Sequence, residues 1–227
     1  MYWQEDNKKP GSYRVPDEIF DLIFELKGKQ IPVDHAEYLA HEISALISAK
    51  SCQDIAIHQI RIAESGNGWN RPVDPQALMH LSRRTRLILR IRKETFDDIQ
   101  QLVGAELNID GHNLIVGESK VRALNPLSTL FARAIACDQK QSEDEFLSQI
   151  AEELLLMNIR VKKMICGTTG FISRTAGQLF IRSCLIADLT QEESVRLQQK
   201  GIGQEQILGC GLFVPHKGID AVYSKQE

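Results

Sequence analysis

Apolar residues recur along this chain in two rhythms: short runs that suit strands, and spacings of three and four that suit helices. Ile19 to Leu26 (Ile-Phe-Asp-Leu-Ile-Phe-Glu-Leu) is an apolar run of strand length. After Gly28 and Pro32, Asp34-His35-Ala36-Glu37 reads as a capping box, and Ala36, Leu39, Ala40, Ile43, Leu46 and Ile47 keep helical spacing behind it. This predicts a helix with Asp34 as N-cap and His35 as its first residue. Ile55, Ile57, Ile60 and Ile62 alternate with one slip at His58-Gln59, as in a bulged strand over 55–63. Arg84 to Arg92 predicts a strand with Arg84, Arg86, Arg90 and Arg92 on one face. A helix from Thr95 to about Val103 and a strand from Glu106 to Val116, interrupted at Asp110-Gly111, complete a β-α-β-β-α-β order, the ferredoxin-like one.

The same order then returns. Ser128 to Cys137 reads as a strand, Ser142-Glu143-Asp144-Glu145 caps a helix to about Met157, and Ile159 to Cys166 and Leu179 to Leu189 read as strands. Thr190 to Lys200 is the second helix, and Leu208 to Val214 closes the unit. The fold expected is α+β, two ferredoxin-like (RRM-like) units in tandem, over 17–118 and 125–219, with a C-terminal glycine-rich loop. That loop, Gly201-Ile202-Gly203-Gln204-Glu205-Gln206-Ile207-Leu208-Gly209-Cys210-Gly211, has two Gly-x-Gly steps separated by five residues. Glycines there supply backbone that reaches positive φ and comes close to another backbone or a phosphate. The loop neither follows a strand to open a helix, as a dinucleotide fingerprint does, nor carries the Gly-Lys-Ser/Thr of a P-loop.

Composition narrows the partners. The 227 residues carry 27 Lys and Arg against 30 Asp and Glu, a formal charge of −3, so any nucleic-acid contact must come from a local concentration of cations. One exists: between Arg71 and Lys93 seven basic residues face a single acid, Asp74. Five scattered cysteines without a Cys-x-x-Cys pair suit reduced thiols rather than a zinc site. With no basic, apolar start and no long apolar run, the expectation is a soluble cytoplasmic protein without membrane, metal or small-molecule cofactor.

Two ferredoxin-like units with this glycine pattern between the last helix and last strand resemble the repeat-associated RNA-binding superfamily of CRISPR systems. The chain looks like its repeat-processing endoribonucleases, the Cas six family, and in particular their myxobacterial-type branch. The residues that carry the likeness are Pro32-Val33-Asp34-His35-Ala36, Ala63-Glu64-Ser65-Gly66-Asn67-Gly68-Trp69, His80-Leu81-Ser82-Arg83-Arg84-Thr85, Asn125-Pro126-Leu127-Ser128-Thr129, Lys162-Lys163-Met164 and Leu208 to Gly218. The resemblance implies metal-independent cleavage of a CRISPR precursor RNA within each repeat, by a 2′-hydroxyl attacking its neighbouring phosphate, with the product retained. It implies repeat RNA, of stem-loop form, as partner, and other subunits of an effector complex beside it. The alternatives are a guide-RNA scaffold that does not cut, and a small-molecule enzyme or regulator on the same fold.

Such chemistry needs a base, a proton donor and cations, with the RNA held in line. His35 is the first candidate, because a first-turn imidazole beside the positive end of a helix dipole favours its neutral form, and because the family carries a catalytic histidine at or near this helix. Its plainer reading is a histidine bordering the core. Tyr38, one turn on, is the second candidate and His41, opposite the apolar stripe, a weaker one. His58 and His112 suit structural roles, and His80 precedes the basic strand. For RNA contact the candidates are Arg83, Arg84, Arg86, Lys162, Lys163, the loop glycines Gly201, Gly203, Gly209 and Gly211, and His216 and Lys217. Each has a solvated or packing alternative, as does Trp69, an indole for base stacking or for the core.

Overall fold

The computed structural model describes residues 13–60, 74 and 77–216. Its first half contains β1 (Ile19–Lys27), β2 (Gln30–Pro32), α1 (Ala36–Leu46), α2 (Ala49–Gln53), β3 (Ala56–Ile57), β4 (Leu78–His80), β5 (Arg86–Arg92), α3 (Phe96–Gln100), β6 (Glu106–Ile109) and β7 (His112–Arg122). An antiparallel sheet runs in the order β3-β5-β1-β7-β6, and β2 with β4 forms a separate ribbon. The second half holds β8 (Leu130–Ala136), α4 (Glu143–Leu156), β9 (Lys163–Cys166), β10 (Gly170–Arg174), β11 (Gly177–Ala187), α5 (Gln191–Lys200) and β12 (Phe213–Pro215), with sheet order β10-β11-β8-β12 and β9 beside β10 on the edge of β11. The architecture is α+β, a tandem of ferredoxin-like units, each with its first strand central.

Alternation explains how each sheet meets its helices. Phe20, Leu22, Phe24 and Leu26 of β1 share one face and are buried with Leu39 and Ile43 of α1 and Ile99 of α3. In the second half Leu130, Ala132, Cys184, Ile186 and Phe213 lie under Phe146, Ile150 and Leu154 of α4 and Leu197 of α5. Both later helices start with the capping boxes read from the sequence, at Ser142 and Thr190.

The halves are tied together through the sheet faces turned away from those helices. Asp21 and Arg90, cross-strand neighbours, are buried there, and Arg90 Nη1 donates to the carbonyls of Gln198 and Phe213, each at 2.9 Å. Asp21 accepts from Arg90 Nε at 2.9 Å and Arg122 Nη2 at 2.8 Å, while His58 Nε2 stands 3.5 Å away. Ala134, Ile172, Leu208 and Cys210 of the second half join the first core.

Several sequence expectations are corrected. Of the 55–63 run, Ala56–Ile57 pairs with β5 and the His58 amide donates to Ile88 O at 2.9 Å, while residues 61–63 lie outside the described ones. Arg84 sits in a turn closed by Thr85 N donating to Ser82 O, so β5 starts at Arg86. Asp110 and Gly111, at φ 49° and 81°, form a two-residue hairpin joining β6 to β7, which runs on to Arg122. The strand read from Ile159 starts at Lys163, and β2, β4 and β10 had no counterpart in the reading. Between Leu208 and Val214 only the end is strand: Glu205 and Gly209, at φ 64° and 84°, bend the chain through a 3-10 turn at Gln206–Leu208 first. Among the described residues no helix is long and apolar enough to cross a membrane.

Candidate functional site

Helix α1 carries the chemistry-bearing residues on two sides. His35 is its N-cap, not its first residue, with φ −92° and no side-chain cap bond, and the Asp34 capping box does not form. The imidazole is only 4% exposed. Nδ1 lies 3.0 Å from Pro32 O and 3.1 Å from Val33 O, and Nε2 accepts from the amide of Ile60 at 3.0 Å. Those partners require the neutral Nδ1–H tautomer, and burial pushes the imidazole below its ordinary pKa. Both nitrogens are bonded to backbone, which ties the start of α1 to the segment after β3 and fits the plainer reading of His35 as a histidine bordering the core.

The outward side of α1 differs. Ala36, Leu39, Ala40 and Ile43 face the core, leaving Tyr38, 43% exposed, and His41 as accessible i,i+3 neighbours. The phenol is raised above its ordinary pKa, first by the charge of Asp110 and also by burial and a hydrogen bond to that carboxylate, so it is held protonated as a donor. Glu42 Oε2 accepts from Asn108 N at 2.8 Å, fixing the helix against the β6–β7 hairpin. Beside Tyr38 opens a cleft of about 500 Å³ lined by Asp34, Glu37, Asp110, His112, Arg174 and Thr175, among others, so both halves contribute. Glu37 accepts from the amide of Thr175 at 2.6 Å and its hydroxyl at 2.9 Å, and Arg174 reaches Glu205 in the glycine loop at 3.2 Å. Burial pushes the thiols of Cys184 and Cys210 up to about 12, which removes them as nucleophiles at neutral pH.

The glycine loop is a closed structure. A Cβ on Gly211 would fall 1.8 Å from Ile202 O, one on Gly201 2.8 Å from Gly211 O, and one on Gly209 3.0 Å from Ile57 O. All three have positive φ, so the loop folds on itself and docks on the first half only because side chains are missing. These three glycines thus fit the packing alternative. Gly203 alone has open space around its Cα, and its amide donates to Glu153 Oε2 at 3.0 Å.

The cations are spread out. Arg83 and Arg84 are exposed, whereas Arg86 Nη1 donates to the carbonyls of Arg83 and Thr85, each at 2.8 Å, and holds that turn rather than reaching outward. Arg86 lies about 13 Å along β5 from Arg90. The three arginines of β5 share one face but do different work, and none of that face is a free basic surface: Arg86 holds the turn, Arg90 is buried and Arg92 pairs with Asp54 at 2.9 Å. Lys162 and Lys163 are exposed at the start of β9, Lys163 with Asp188 at 3.1 Å. His216 is exposed against Phe131, and Lys217 and Trp69 lie outside the described residues.

Comparison with known proteins gives the family and the fold. The family described as Cas6 Crispr matches residues 20–218, through both sheets and the glycine loop. The chain belongs to the Cas6 family. A Myxococcus xanthus (strain DK1622) protein named CRISPR-associated endonuclease Cas6 is 27% identical over 196 residues, 86% of this chain and 80% of that one. Among solved structures, a CRISPR associated protein Cas6 superposes with TM-score 0.60 at 11% identity, over 88% of this chain and 100% of that one. A Cas6-related protein from Pyrococcus furiosus gives 0.54 at 14%, over 86% and 97%. These two share the fold with this Cas6 chain.

His41, the weaker candidate in the sequence, is the exposed imidazole of α1, as its place opposite the apolar stripe signals. Sequence reading passed over Asp110, read only as a turn, and Arg174, in a strand that was not foreseen. Phe131 and Arg133 of β8, an aromatic and a cation two apart in a strand, meet on one face, with the guanidinium 5.5 Å from the ring centroid.

Proposed function

We propose that this Cas6 chain is a metal-independent endoribonuclease that cuts CRISPR precursor RNA within the repeat and holds its product as guide RNA. The observation that carries the reading is the family match across 20–218, joined by a relative named as an endonuclease over most of its length. In the reaction the 2′-hydroxyl before the cut gives its proton to a base as its oxygen bonds to phosphorus. The phosphorus–5′-oxygen bond breaks, and the leaving oxygen takes a proton. The ends are a 2′,3′-cyclic phosphate and a 5′-hydroxyl.

His41 and Tyr38 are the acid-base pair we assign. His41 is accessible where His35 is not, and Tyr38 is a protonated phenol one turn away on the same face, at the edge of the cleft. Either end of the reaction can use the imidazole, as acceptor or, once protonated, as donor. Leu78 at the cleft leads along β4 to the exposed Arg83 and Arg84, which we assign to phosphate contact together with Lys162, Lys163 and His216. Residues 17–118 and 125–219 are proposed as the two folding units. Effector subunits are proposed as further partners.

A non-catalytic guide-RNA scaffold is the second reading, favoured by the backbone bonds on both nitrogens of His35. Labelled repeat RNA mixed with the protein in EDTA separates the two. Cutting in the chelator supports the endoribonuclease, and tight binding without cutting, with or without added divalent metal, supports the scaffold.

A further inference from the structure

The second sheet's face away from α4 and α5 is covered in part by the first unit. Ala134 and Ile172 are buried in the first core, whereas a row farther along is partly exposed among the described residues. The register sets Val214 opposite Phe131, Phe131 opposite Leu185, and Leu185 opposite Ile165, so four apolar side chains from β12, β8, β11 and β9 line up across the sheet. Ile165 is 66% exposed and the other three are half-buried. The Arg133 guanidinium lies 5.5 Å over the Phe131 ring, and the His216 ring centroid is 5.8 Å from it at an interplanar angle of 58°. Arg133 and Val214 also border a small recess shared with Gly209 of the glycine loop, so the row is continuous with the junction of the units.

We propose that this face binds unpaired nucleotides of the RNA, with bases stacking on Phe131 and Arg133 and with His216 and Lys163 meeting the phosphates, at a subsite separate from the α1 cutting face. The inference rests on the RNA reading above. Aromatic rings and guanidinium planes are the groups on which splayed-out bases stack, and cations beside them neutralise the phosphates. Arg133 and Lys163 rim the row, and the nearby acid Asp188 already faces Lys163. That pairing of flat cation and ring at a basic rim fits a polyanion with exposed bases rather than an apolar protein segment.

The test compares the full chain's affinity for two RNAs by fluorescence anisotropy: a repeat alone, and the same repeat carrying roughly six unpaired nucleotides at one end or the other. The expected result is tighter binding of an extended RNA by the native chain, and a roughly 5- to 100-fold loss of that gain in Phe131→Leu with Arg133→Gln. Phe131→Trp keeps the gain. Phe131→Leu preserves apolar volume, and thermal melting confirms that it folds. If the extension adds nothing, or if the double variant keeps the whole gain, the platform is overturned while repeat binding stands. If the native chain binds neither RNA, the RNA reading itself falls, and the platform with it.

Discussion

The two sides of α1 present the same chemistry in opposite settings. His35 at the N-cap is buried with both nitrogens bonded to backbone, and His41, six residues on, stands on the outward face beside Tyr38. An imidazole that must exchange a proton needs a free nitrogen and access to substrate, whereas one that joins three carbonyl or amide groups gains from having neither. In the role we propose for His41, the face of the helix and not the position along it separates the two histidines.

Substitutions should pull the two histidines apart. The largest effect is expected from His41→Ala, which should slow single-turnover cutting by roughly 10²- to 10⁴-fold while leaving urea stability within about 0.5 kcal/mol. Near-native cutting would remove His41 from the chemistry. His35→Ala should do the reverse, costing about 2–4 kcal/mol in urea unfolding because it opens a cavity and strands the Ile60 amide. A variant that is as stable as the native chain yet does not cut would return His35 to the active site.

Acid should expose the buried pair His35 and His58. Burial lowers both imidazoles in the fold, chiefly by desolvation, although Asp21 partly opposes this at His58. The unfolded chain takes up these protons near pH 6.5, so the stability they contribute is full above that value and is lost as pH falls below it, at up to about 1.4 kcal/mol per pH unit per histidine. Burial also tends to raise Asp21, but His58 and the Arg90 charge outweigh it and hold the carboxyl well below the usual range, so Asp21 stays ionised through this window. Melting temperature should fall between pH 7.5 and 5.5, and the slope should flatten in His35→Gln; equal slopes would deny that His35 is buried neutral. The smallest expected effect is that of Tyr38→Phe, about 10-fold on cutting with unchanged affinity, which sharpens the outward face as a pair rather than a lone imidazole.

Much of the fold was legible because local signals and tertiary structure agree. The β1 run, the capping boxes at Ser142 and Thr190, and the repeated strand–helix order all depend on neighbours in sequence. The site was less legible because its decisive partners are distant. Asp34-His35-Ala36-Glu37 satisfies a capping pattern, and nothing local announces that Ile60 will bind His35 instead. The glycines signalled positive φ correctly, yet their purpose depends on Ile57, Ile202 and Gly211 carbonyls that only the folded chain brings near. Arg84 to Arg92 alternated as a strand should, but Asp21, Asp54 and two backbone carbonyls from the other half claimed Arg90 and Arg92.

The central claim is that the outward face of α1 directs a 2′-hydroxyl against its own neighbouring phosphate. Its most direct test is single-turnover cutting, in EDTA, of a repeat RNA carrying one 2′-deoxy substitution at the nucleotide before the cut, beside the unmodified repeat. The account predicts equal binding, a 2′,3′-cyclic phosphate end from the unmodified RNA, and no product from the modified one; normal cutting of the 2′-deoxy RNA would contradict it.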